Sequence, residues 1–180
     1  MKVFTPVRSS VMALTALCLC SAPAARADIQ GGKSNVFVGA MLGITSANQS
    51  FGTGIGFGIN GGYFFDPAFG IGANLKQANF DNNLSATLVA VEGLYRVGEA
   101  PGLHLGVDLG TAKFSTGSIG PFAGSTSSTS FAYGLKAAYD YVMSYPSNFS
   151  LGADLSVMLT KPGTETITIF NPMATAKIWF

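Results

Sequence analysis

His104 is the single histidine among 180 residues, so it is the one side chain whose ordinary titration range suits a base working at neutral pH. A hydrolytic triad joins such a base to a serine nucleophile and an orienting carboxylate. No His-x-Ser motif occurs, because Gly106 stands two residues after His104. The other reading of His104 is a lumen histidine hydrogen-bonded within a polar network, the ordinary state of a polar group removed from water. Gly56, Gly58 and Gly61 spell Gly-x-Gly-x-x-Gly, which binds a dinucleotide only where it follows a strand and opens a helix. Ile55, Phe57 and Ile59 interleave these glycines at strand spacing, so no nucleotide is expected. One histidine and dispersed carboxylates give no cluster at i, i+2 or i, i+4, so neither a metal nor any other cofactor is expected.

Charged side chains are the chemistry that remains, and the elements carrying them decide its use. Residues 1–27 read as a secretory signal: Lys2 and Arg8, an apolar run from Val11 to Cys20, then the small-residue site Ala25-Arg26-Ala27. The expected mature domain is 28–180. Both cysteines, Cys18 and Cys20, fall inside the signal, which leaves the mature domain without thiols, and Leu17 and Leu19 before them argue against lipidation. Removing Lys2, Arg8 and Arg26 takes the basic residues from 10 to 7 against 9 acidic ones, a formal balance of −2 that excludes a basic footprint for nucleic acid. Hydrophobic residues make up 48% of the chain and charged ones only 11%, yet no run is long enough for a membrane helix of about 20 residues. That combination fits a protein whose exterior faces apolar solvent.

Alternation with a period of two marks eight strands, at 35–45, 54–65, 69–80, 86–97, 102–114, 131–143, 149–160 and 172–180. In the seventh, Phe149, Leu151, Ala153, Leu155, Val157 and Leu159 share one face, and Ser150, Gly152, Asp154, Ser156, Met158 and Thr160 the other. A helical period of 3.6 would mix these sets. Short connections at 66–68, 98–101 and 144–148 alternate with mostly longer ones at 46–53, 81–85, 115–130 and 161–171, the asymmetry of periplasmic turns and outer loops. The fold class is all-β: an eight-stranded antiparallel transmembrane up-and-down barrel.

Parity places Lys76, Arg96, Lys136 and Lys177 on one side together with Glu92, Asp108, Asp140 and Asp154. In a barrel this narrow the inward side chains fill the lumen, and an unpaired charge there costs several kcal/mol, so equal numbers imply a paired network. A soluble lipocalin-like barrel also alternates but keeps an apolar interior. On the outward parity the one strand charge is Lys113, at the end of the fifth strand, where it can snorkel to headgroups. Inward Gly54, Gly56, Gly58, Gly70 and Gly72 are expected to make room for Phe64, Trp179 and the Lys76 stem. Outward aromatics gather at the ends, with Phe65, Phe69, Tyr95, Tyr141, Phe149 and Phe180 at the inner rim and Phe131 and Tyr133 near the other.

The signal, the eight alternating segments and the terminal Ile178-Trp179-Phe180 resemble the small eight-stranded outer-membrane barrels of Gram-negative bacteria, similar to the transmembrane domain of outer-membrane protein A. The resemblance implies residence in the bacterial outer membrane among lipid and lipopolysaccharide. It further implies that Phe180, with its same-face neighbours Ile178 and Ala176, is the element read by the barrel-assembly machinery. No peptidoglycan-binding domain follows the barrel in this sequence, so a cell-wall tether does not carry over.

The expected role is structural or surface, with a largely plugged polar lumen. A passive channel for small or apolar solutes is the alternative, since many inward positions are Gly or Ala. A lipid A-modifying barrel enzyme is a third reading, which the missing His-x-Ser motif opposes, and the protein is expected not to be an enzyme. The uncharged loop 115–130 reads either as a receptor-facing surface or as a plain polar loop. Nothing in the pattern specifies an oligomeric state.

Overall fold

The computed structural model describes residues 35–48, 51–80, 84–98, 102–116, 126–142 and 148–180. These residues form eight strands: β1 (Val36–Ala47), β2 (Gly52–Phe64), β3 (Phe69–Phe80), β4 (Leu84–Arg96), β5 (Leu103–Thr116), β6 (Thr126–Val142), β7 (Phe149–Thr160) and β8 (Ile167–Trp179). Every strand pairs antiparallel with its sequence neighbours, and β1 closes on β8 with Phe37 opposite Trp179. The seam is finished by Phe180, whose N–H donates to the Val36 carbonyl at 2.9 Å. Closure pairs the backbone within the sheet, the condition for crossing hydrocarbon with strands.

The period of two is expressed directly as burial. Along β3, Phe69, Ile71 and Leu75 are exposed while Asn74, Lys76, Ala78 and Phe80 are buried. Leu135 is 67% exposed and Ile55 65%, values that would penalise a barrel in water and suit one in lipid. Lys113 is exposed on this outer face, at the loop end of β5. Aromatic pairs mark both ends of the exterior, Phe69 with Tyr95 at 5.2 Å and Phe131 with Tyr133 at 6.2 Å between centroids.

Tight connections have local causes. Asp66 Oδ1 accepts from the N–H groups of Ala68 (2.7 Å) and Phe69 (2.6 Å), a side-chain turn that reverses β2 into β3. Gly102 takes φ +94° before β5, a conformation open to glycine, and its carbonyl accepts from the Asp140 N–H at 2.9 Å.

Two strands begin five residues before the alternation predicts, while the other ends differ by two residues or fewer. β6 begins at Thr126 rather than 131, because Ser127, Ser128 and Thr129 pair with Ser115, Phe114 and Lys113 of β5, and that partner overrides weak strand propensity. β8 begins at Ile167 rather than 172, through Asn171 and Pro172. Its ladder with β7 is continuous across Leu155 and Pro172, whereas pairing with β1 lapses between Met173 and Phe170, where Pro172 has no N–H to give. Thr45 Oγ1 donates to Asn171 Oδ1 at 2.9 Å across that lapse. The expected signal 1–27 and the central part of the expected loop, 117–125, lie outside the described residues.

Candidate functional site

The lumen holds all eight inward charges that the parity assigns, and it is layered along the barrel axis. At the end carrying the tight turns, Phe37, Phe64, Leu94 and Trp179 form an aromatic floor. Trp179 is tilted against Phe37 at 5.1 Å and stacked with Phe64 at 6.4 Å between centroids, and its indole N–H donates to Ser150 Oγ at 2.9 Å. Asp140 sits in this layer with its Oδ2 shared between Lys177 Nζ (2.7 Å) and His104 Nδ1 (3.2 Å). The hydrogen bonding of His104 therefore runs to a carboxylate on β6, not to a serine. Arg96, at the same end, lays its guanidinium over the Phe64 ring at 4.1 Å.

Above the floor lies a second ionic layer. Lys136 Nζ is 2.5 Å from Glu92 Oε2 and 3.7 Å from Asp154 Oδ2, and Asn74 donates to Glu92 Oε1 from the other side. Lys76 Nζ reaches across to Ser156 Oγ at 2.8 Å and Asp154 Oδ1 at 3.5 Å. All of these side chains are buried. Small residues opposite them supply the space: a Cβ on Gly72 would lie 3.2 Å from Glu92 Oε2, one on Gly39 2.7 Å from the Lys177 stem, and one on Gly70 2.9 Å from the Phe64 ring.

The expected pairing of four cations with four anions is met by only some of them. Asp108 faces Glu92 across β4 and β5, but neither of its oxygens has a hydrogen-bond partner among the described residues. Arg96 has an aromatic support and no carboxylate within ion-pair distance among the described residues. Lys177 and His104 both contact Asp140 Oδ2, while Asp140 Oδ1 has no hydrogen-bond partner among the described residues.

The expected lumen is polar and largely plugged, and the outer third of the plug is apolar. Phe80, Leu88, Phe114, Met158, Ile167 and Ile169 pack there with Ala78, Ala86, Ala90, Ala112 and Ala132. Met158, Ile169 and Ala112 are 0% exposed, so no water-sized space adjoins them. Phe51 caps this layer, its ring 5.2 Å from Phe114 and 6.1 Å from Phe80. The alternation carries these residues to the inward face, but inward alanines alone look like empty room; only the closed register shows that large neighbours fill it.

Ala176 and Ile178 lie on one outward stripe of β8 and Phe180 follows directly after the strand, with Ile178 and Phe180 exposed. Sequence reasoning named none of Asn74, Ser156 or Ser150 as members of the lumen network, although the same parity points each inward. No group of three or more His, Cys, Asp or Glu residues that could hold a metal is found among the described residues.

Comparison with known proteins agrees with this geometry. Residues 12–169 match the family model described as outer membrane protein beta-barrel domain. Neisserial surface protein A is similar with a TM-score of 0.65 at 16% identity, over 81% of this chain and 97% of that one. Ail, the attachment invasion locus protein of Yersinia pestis, solved with the heparin analogue sucrose octasulfate, gives a TM-score of 0.54 at 19% identity over 82% and 97%. The N-terminal β-barrel domain of Pseudomonas aeruginosa OprF gives 0.51 at 18% identity over 82% and 99%. At these identities the likeness is one of fold. No curated protein sequence matches the chain closely enough to add to them.

Proposed function

The chain belongs to the outer membrane protein beta-barrel domain family of the Gram-negative outer membrane, and from that premise we propose that it serves as a closed structural or surface barrel rather than as an open pore. The observation carrying this reading is that the lumen is obstructed twice in series. An ionic layer bridges opposite walls through Lys76 and Asp154, and an apolar layer around Phe114 and Ile169 lies outside it. Ions are held off by the apolar layer, which offers no substitute for their hydration, while apolar solutes meet buried charge in the ionic one. His104 belongs to the ionic architecture through Asp140, which supports a role without catalysis. Lipid and lipopolysaccharide are the proposed surroundings, and the outward stripe of Ala176, Ile178 and Phe180 is the proposed contact for the barrel-assembly machinery.

Planar-bilayer recording tests the closed barrel. The wild-type protein is expected to be silent. Stable openings of reproducible size would instead establish the channel reading, with the solute passing both layers.

A further inference from the structure

The lipid-facing exterior of the barrel is not evenly convex. A groove of about 700 Å³ crosses from β3 to β7, bounded by Phe65, Phe69 and Tyr95 at the tight-turn rim and by Leu155 and Val157 at its far end. Gly93 and Ala137 lie along it as small residues among large ones, and a Cβ added to Gly93 would meet nothing within 4 Å. Beyond Val157 the groove continues into a second hollow of about 360 Å³ beside Phe131 and Tyr133. The trough thus runs from the aromatic pair at one rim to the pair near the other.

Shape and charge together select an occupant. The volume lies within the range of ordinary ligand sites, about 300–1,000 Å³. An elongated hollow with apolar walls suits an extended alkyl chain better than a compact polar solute. The rim end adds a charge. Asp66 is exposed in the turn between Phe65 and Phe69, and its Oδ1 accepts from the Ala68 and Phe69 N–H groups at 2.7 and 2.6 Å. Both turn bonds use Oδ1, so the carboxylate is fixed against a residue of the groove wall while Oδ2 remains to accept from outside the turn. Among the described residues Asp66 is the one exposed charge at this rim, since Lys113, Lys161 and Glu165 stand at the opposite end. A fixed anion where an apolar groove meets the membrane surface complements a cation joined to an alkyl chain, and a primary ammonium has N–H groups to donate.

We propose that this groove holds an acyl chain of a phospholipid with a primary ammonium headgroup, drawn from the leaflet at the tight-turn rim, with the ammonium on Asp66. The site lies on the outer wall and is independent of whether the lumen conducts.

Native mass spectrometry of the barrel released from nonionic maltoside micelles tests it. Phosphatidylethanolamine, phosphatidylcholine and phosphatidylglycerol of identical acyl chains are added in separate titrations. The wild-type protein is expected to retain one lipid with a preference for phosphatidylethanolamine of about two- to fivefold, the scale of an exposed charge pair. Asp66→Asn keeps an acceptor for the turn and is expected to abolish the preference while retaining the adduct. Gly93→Phe places a ring in the groove and is expected to remove the adduct for all three lipids; should it fail to fold, Ala137→Leu takes its place and is expected to weaken all three. Lys113→Gln, at the opposite end, is expected to change nothing. No retained lipid, equal retention of the three lipids, a preference that survives Asp66→Asn, or an adduct that survives filling of the groove overturns the site. A dimer in place of the lipid adduct, lost on filling the groove, overturns it in favour of a contact between copies.

Discussion

Lys76 on β3 and Asp154 on β7 start from opposite walls of the eight-stranded barrel, yet Lys76 Nζ lies 3.5 Å from Asp154 Oδ1 and both side chains are 1% exposed. A lysine stem long enough to cross the lumen, with Ser156 Oγ at 2.8 Å as a second acceptor, thus ties together strands that share no backbone hydrogen bonds.

Cutting that tie from one side leaves a buried carboxylate short of its partner. Lys76→Met is expected to destabilise the barrel by about 3–5 kcal/mol, the usual cost of orphaning one member of a buried ion pair. The double variant Lys76→Met with Asp154→Leu is expected to lose less than Lys76→Met alone, since the carboxylate that Lys76 compensates is removed with it. Urea unfolding in lipid vesicles measures both, and equal losses would show that the tie contributes packing rather than charge compensation.

The outer face responds to the opposite chemistry. Leu135, 67% exposed on β6, meets the apolar solvent that a cation must avoid. Leu135→Arg is expected to cost about 2–4 kcal/mol of folding free energy in vesicles if the residue sits near the midplane. Lys113→Leu, at the loop end of β5, is expected to change it by about 1 kcal/mol or less. A silent Leu135→Arg would mean that this face is bathed in water.

These faces were legible from sequence because a strand has one rigid periodicity: once Asp154 is inward, Leu155 is outward. All eight inward charges follow from that rule. Their partners do not, because pairing across a lumen depends on the stagger of the closed sheet and on rotamers, and Lys76 reaches β7 only in the folded cylinder. Arg96 and Asp108 show the limit, as equal totals of opposite charge concealed an uneven distribution by layer. The missed starts of β6 and β8 have simpler causes, a serine-rich segment with little intrinsic strand preference and a proline that breaks one ladder while the other carries the strand through.

Space opposite the charges is as specific as the charges themselves. A Cβ on Gly72 would come 3.2 Å from Glu92 Oε2 and 2.8 Å from the Gly61 carbonyl, a contact with backbone that cannot swing away. Gly72→Val is therefore expected to cost about 1–3 kcal/mol through overpacking and to push Glu92 away from Lys136. Gly93, whose added Cβ meets nothing within 4 Å on the outer face, is the control: Gly93→Val is expected to be neutral or slightly stabilising in the same unfolding measurement. Equal losses at the two sites would refer the effect to strand geometry rather than lumen space.

Two obstructions in series give the conductance experiment a particular form. If the ionic layer were the sole barrier, Glu92→Ala or Lys136→Ala would open a current by itself, since each removes one side of the 2.5 Å contact. With the apolar layer intact outside it, around Phe80, Phe114, Met158 and Ile169, the narrowest dry segment still limits the flow. Each single variant is therefore expected to stay near silent. So is Phe80→Ala with Phe114→Ala, which opens the outer layer and leaves the ions paired. Combining the two phenylalanine changes with Glu92→Ala is expected to produce openings that none of the parent variants shows. Such excess over the sum of the parts is the signature of barriers in line. Current from Glu92→Ala alone would assign the closure to the ionic layer and reduce the apolar one to packing.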